Sequence, residues 1–176
     1  KLLLFILILL YLLSSLSPPT DADSLDYHLG FGKLVLQLGG LYPRTDWIHY
    51  RLAGSGEYIN VIGINWNVDN LGALMQFFSV LILLIFINAY GYAKNKTIYM
   101  LSVLSSPILL FMINTQKYQI MPSIGLSIAL MSCFVEEYSI LLGILAVITC
   151  VFSVSAKVSF IITGLIVILF LLCSPR

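Results

Sequence analysis

The chain has 176 residues, 60% of them hydrophobic and 10% charged, with a mean hydropathy of +1.01. Such a composition points away from an ordinary water-soluble domain and towards a bilayer. The formal charge of +1, carried by nine scattered Lys and Arg, supplies no clustered basic face, which excludes a nucleic-acid partner. Cys133, Cys150 and Cys173 lie inside apolar runs with no paired spacing and read as small buried hydrophobes.

In chain order, apolar runs fall at 2–16, 71–87, 97–113, 120–135, 139–153 and 158–173. Each approaches the length that crosses a hydrocarbon layer, and a backbone in lipid must be helical or closed. The expectation is therefore all-α: a polytopic membrane protein of about six transmembrane helices with a long extracytoplasmic first loop, 17–70, carrying amphipathic interfacial helices. No small-residue cleavage site follows the first run, which reads as an anchor rather than a signal peptide. Lys94 and Lys96 share one loop, and the positive-inside rule places that loop in the cytoplasm. The start at Lys1 and the stop at Arg176 after an apolar run suggest the amino-terminal fragment of a longer protein, here a single membrane domain over 1–176.

Between the first two runs, 17–70 holds six of the eight acidic residues, both histidines and both tryptophans. An amphipathic helix is predicted from Thr20 or Asp21 to Leu38, stopped by Gly39-Gly40, and a second from near Ser55 to Asn65. Asp21, Asp23 and Asp26 lie within six residues, and on a helix Asp23, Asp26 and Tyr27 share a face. Such carboxylates either hold a divalent metal or a proton, or simply cap a helix start. His28 either lines a site or sits at an interface, and Glu57 either assists an acceptor or is a solvated first-turn acid. Arg44 and Arg51 suit phosphate or lipid headgroups. Lys117, beside Gln116 in the short loop 114–119, and Lys157 lie on the same expected side as the aspartates. There each ammonium either meets a lipid-linked phosphate or snorkels at a helix end.

The string Asp21-Ala22-Asp23-Ser24-Leu25-Asp26-Tyr27-His28-Leu29, directly after an apolar helix, resembles the GT-C glycosyltransferases, the superfamily of protein O-mannosyltransferases and aminoarabinose transferases. Asp23 and Tyr27 fit its spacing, and Gly39 approximates its closing glycine. The resemblance implies a membrane glycosyltransferase that moves a sugar from a polyprenyl-phosphate donor to a lipid, glycan or protein acceptor. In that reading Asp23 is the general base, Asp21 its nearest rival, and Lys117 stands near the leaving phosphate. Asp26, Tyr27, His28, Glu57, Arg44, Arg51, Gln116 and Lys157 contribute to binding. It further implies a bacterial inner membrane with the site on its extracytoplasmic face, membrane lipids as neighbours, and room for Mg or Mn at Asp21 and Asp23. The second loop reads Asn114-Thr115-Gln116 where many relatives place an acid, which weakens the case for metal. Two other classes compete: a transporter or flippase of a lipid-linked sugar, and a non-catalytic scaffold.

Overall fold

The computed structural model of the protein describes residues 1–41, 53–91, 95–135 and 139–173. Its regular elements are helical throughout. Helix α1 is Leu2–Leu16. A π-helical turn, Ser24–His28, leads directly into α2, Leu29–Leu38. Then come α3, Glu57–Asn65, and the long α4, Leu71–Tyr90. The chain continues through α5, Lys96–Leu104, α6, Pro107–Met112, and α7, Ile120–Ser132. It closes with α8, Ile140–Ala156, a short 3-10 turn at Val158–Phe160, and α9, Ile161–Cys173.

Local chemistry explains the breaks. Gly39 ends α2 in the left-handed region, φ +69°, and the Gly40 amide donates back to the Val35 carbonyl. A residue with a Cβ is strained there, which makes glycine the natural stop. The apolar run 97–113 is two helices rather than one. Ser106 adopts an extended backbone and its hydroxyl accepts from the Leu109 amide, while Pro107 occupies the first position of α6. A proline lacks the amide that α5 would need to continue, and disfavours helix in the residue before it.

Helix α4 is the axis of the bundle, packed against α1, α3, α5 and α7. The larger core gathers Phe77, Val80, Leu84 and Ile87 of α4 with Tyr11, Met100, Leu104, Ile113 and Leu142. Helix α7 adds Ile120, Ile124 and Ile128, a stripe at four-residue spacing on a single face. Another face of α7, with Leu126 and Ala129, packs against Ala146 and Cys150 of α8 and Val167 and Leu171 of α9. Close approach of α7 and α8 depends on Gly125, where a Cβ would run into the Ser153 hydroxyl. Tyr11 ties α1 to the end of α5 by donating to the Leu104 carbonyl at 2.9 Å, a group with no partner inside its own helix.

The expectation of six transmembrane helices does not hold. Among the described residues one helix, α4, is long and apolar enough to cross a membrane. The other apolar helices are shorter: α1 has 15 residues, α7 13, α8 17 and α9 13. At 1.5 Å per residue a 13-residue helix reaches about 20 Å, against roughly 30 Å of hydrocarbon. Residues that hydropathy counts as spanning are in part the core of a helical bundle, and 56% of the α4 span is buried inside it. The multi-pass topology, the inner-membrane localisation and the extracytoplasmic placement of 17–70 rested on six crossings and are corrected with them. Large apolar side chains are nevertheless exposed on α1, α8 and α9, among them Phe5, Leu141, Ile148, Ile162 and Leu172. Apolar surface on that scale marks contact with other apolar matter.

Candidate functional site

Polar groups from four distant parts of the chain meet around the loop joining α6 to α7. That loop is unusual in being buried: Ile113, Thr115, Gln116 and Tyr118 are all inside. A buried loop must have its backbone groups satisfied, and side chains of neighbouring elements do this. Gln76 of α4 donates to the Thr115 carbonyl at 2.7 Å and accepts from the Ile120 amide at 3.2 Å. The Ser24 hydroxyl, at the start of the π-helical turn, accepts from the Gln116 amide at 2.8 Å. Asn60 of α3 donates to the Gln116 carbonyl at 3.2 Å and accepts from the Tyr118 hydroxyl at 3.0 Å. Gly72 and Gly56 make room for this arrangement. A Cβ on Gly72 would strike Gln116, Asn60 and Tyr118, and one on Gly56 would strike the Tyr118 ring.

At the centre stands a buried pair. His28 Nδ1 lies 2.7 Å from Glu57 Oε1, with His28 only 1% exposed, and Asn60 Nδ2 donates to the other Glu57 oxygen at 3.3 Å. Within the π-helical turn Ser24 and His28 are buried while Asp26 stays exposed. The far ring nitrogen, His28 Nε2, is buried without a hydrogen-bond partner, as are both side-chain polar atoms of Gln116.

The outer part of the cluster is ionic. Lys117 Nζ sits 3.2 Å from Asp21 Oδ1 and 2.9 Å from Asp23 Oδ2. Asp21 also accepts from the Ser24 amide at 3.0 Å. Burial works to raise the Asp21 carboxyl, but the bonds from Ser24 and Lys117 outweigh it and hold it below the usual carboxylate value. The Lys117 hydrogen bond and charge hold Asp23 below that value as well. Partial burial opposes the Lys117 charge, yet the two aspartates lift its ammonium above the usual lysine value. Tyr27 is raised by burial and then by Glu57 and Asp23. Tyr118 is raised strongly, by burial first and the Glu57 charge second.

Lys157 completes the cluster from the junction of α8 with the 3-10 turn. The Ser55 amide donates to the Ser155 carbonyl at 3.0 Å, and the two serine hydroxyls are 2.9 Å apart, which brings the end of α8 to the start of α3. Partial burial depresses the Lys157 ammonium, and the charges that act on it are those of Glu57, Lys117 and Asp23.

Of the residues singled out in the sequence, the structure gathers Asp21, Asp23, Tyr27, His28, Glu57, Gln116, Lys117 and Lys157. Asp26 points away into the open, and Arg44 and Arg51 lie outside the described residues. Sequence reasoning missed Ser24, Asn60, Gln76 and Tyr118, which build the frame. Gln76 is the one signal that was available, a carboxamide in the middle of a long apolar run.

The geometry corrects the catalytic reading. A general base at Asp23 needs its pKa raised towards neutrality, whereas Lys117 pushes it the other way. Nor do Asp21 and Asp23 suit Mg or Mn, since both face the same ammonium. Among the described residues no group of three or more His, Cys, Asp or Glu is placed to hold a metal ion. The glycosyltransferase activity and its polyprenyl-phosphate donor chemistry therefore lose their support. The transport alternative rested on the same set of crossings.

No curated protein and no solved structure matches the chain. The resemblance to GT-C enzymes is corrected by a family match that runs over residues 1–175, nearly the whole chain. The chain belongs to the family described as the DUF1420 N-terminal domain.

Proposed function

We propose that this domain is a binding module for a phosphate-type anion, with Lys157 as its principal contact and Lys117 beside it. The observation that carries the reading is the pattern of ion pairs. Asp21 and Asp23 face Lys117, and Glu57 faces His28. Lys157 takes no carboxylate within ion-pair distance among the described residues, although it is half-buried and its ammonium is depressed by that burial. A partly desolvated ammonium with no carboxylate in ion-pair contact among the described residues gains by acquiring an anion.

Anchoring matters as much as charge. Lys157 follows Ser155 and Ala156, whose carbonyls lie against Ser55 and Gly54, so its backbone is held in register with α3. Held groups bind with less loss of side-chain freedom. The lipid-phosphate partner read from the sequence is thereby kept in a coarser form, as a phosphate group.

The test is calorimetric titration of inorganic phosphate into the protein and its variants. Saturable binding is expected in the parent, and Lys157→Gln is expected to weaken it about tenfold, the scale of one charge-assisted contact. Lys33→Gln, an exposed change on α2, is expected to leave binding as it was. Affinity falls as pH rises through the depressed Lys157 value, since the neutral amine has no charge to offer. Equal affinity in parent and Lys157→Gln, or no binding in either, overturns the proposal.

A further inference from the structure

A cavity of about 740 Å³ opens at the other end of α4, between its last turns, α5 and the end of α7. It lies roughly 20 Å along the helix from Gln76 and shares no lining residue with the polar cluster. Its wall is apolar and strongly aromatic, with Phe86, Tyr90, Tyr99 and Phe134 among the rings and Met131 as an adaptable filler. Among the described residues one charged side chain, Lys96, lines it. The Lys96 ammonium donates to the Asn88 carbonyl at 2.7 Å and approaches the Ala89 carbonyl at 3.5 Å. Those contacts fix it at the end of α4 and, among the described residues, use two of the three N–H groups of the ammonium.

We propose that this cavity is a binding site for a long-chain carboxylate, with its hydrocarbon chain among the rings and its head group on Lys96. Three features carry the inference. The volume lies inside the range of ~300–1,000 Å³ that buries small ligands. The wall holds too few polar groups to satisfy a polar body, but suits a hydrocarbon chain. Lys96, the one cation among the described lining residues, is held in place by the carbonyls of a helix end and complements an anionic head. The alternative roles are narrower: Lys96 serves only to cap α4, or apolar matter coats this end of the bundle as it coats α8 and α9.

The experiment distinguishes these. A diazirine-bearing laurate analogue is photo-crosslinked to the full chain in maltoside micelles, and the adducts are mapped by mass spectrometry. Adducts concentrated on Tyr99, Met131 and Phe134, displaced by excess laurate but much less by dodecanol, are the expected result. Lys96→Gln is expected to weaken laurate about tenfold and to leave dodecanol unchanged, which separates head-group recognition from simple loss of a cap. Val103→Trp, placing a ring in the cavity from α5, is expected to abolish the adducts. Adducts spread over the exposed faces of α8 and α9, or laurate and dodecanol competing equally in parent and Lys96→Gln, overturn the proposal. Phosphate binding at Lys157 is unaffected by either outcome, because the two sites share no residue.

Discussion

Replacing Glu57 probes the buried pair on which the polar cluster depends. In Glu57→Ala, His28 Nδ1 loses its 2.7 Å hydrogen-bond partner and Asn60 one of the groups it donates to. Both stay buried, with His28 1% exposed and Asn60 1% exposed, so water cannot take over the lost bonds without opening the structure. Breaking a buried pair from one side costs about 3–5 kcal/mol. Glu57→Gln keeps the shape and one acceptor, and its cost is expected to be nearer 1–2 kcal/mol, the difference between a charge-assisted bond and a neutral one. The assay is urea denaturation followed by circular dichroism, in one maltoside buffer for all variants. A change in midpoint at constant slope reports stability. The double variant with His28→Ala is expected to cost less than the sum of the singles, because the two groups act on one another. Glu57→Ala within about 1 kcal/mol of the parent, or additive singles, would refute the reasoning.

Three further outcomes follow from the same geometry. Gly72→Ala drives a Cβ into Gln116, Asn60 and Tyr118; about 1–3 kcal/mol of destabilisation is expected by urea denaturation, with faster hydrogen exchange at the Gln116 and Ile120 amides. Tyr11→Phe leaves the Leu104 carbonyl without its 2.9 Å donor, and about 1 kcal/mol is expected from the same assay. The ionic part of the cluster sets a pH window: Asp21 and Asp23 are held below the ordinary 3.8, so their contribution is present above that value and is lost as pH falls through the folded values. Lys117 is raised above 10.5, so its contribution is present below that and is lost as pH rises through the folded value. Urea midpoints measured across pH are expected to show this plateau, and Lys117→Gln to flatten its acid edge.

The local elements were the legible part. Glycine chemistry marks the end of α2, and the acidic first turn marks the start of α3, because caps and stops are written in neighbouring residues. The charged positions of 21–28, Glu57, Lys117 and Lys157 also stand out in the sequence, since charge is scarce in this composition. Helix length in space was not. Hydropathy treats Leu84, buried in the core, and Ile85, 67% exposed, as the same kind of residue, so a bundle core and a crossing look alike. Nor was the pairing of Lys117 with Asp21 and Asp23 visible, because it joins positions more than ninety residues apart. That contact turns the aspartates from candidate bases into partners of an ammonium.

Lysine side-chain NMR during phosphate titration tests the binding proposal most directly. With the Lys157 signal assigned through Lys157→Gln, the expected result is a saturable shift of that signal as phosphate is added, with Lys33 on the exposed face of α2 unmoved. A stationary Lys157 signal, or equal shifts at Lys157 and Lys33, would contradict it.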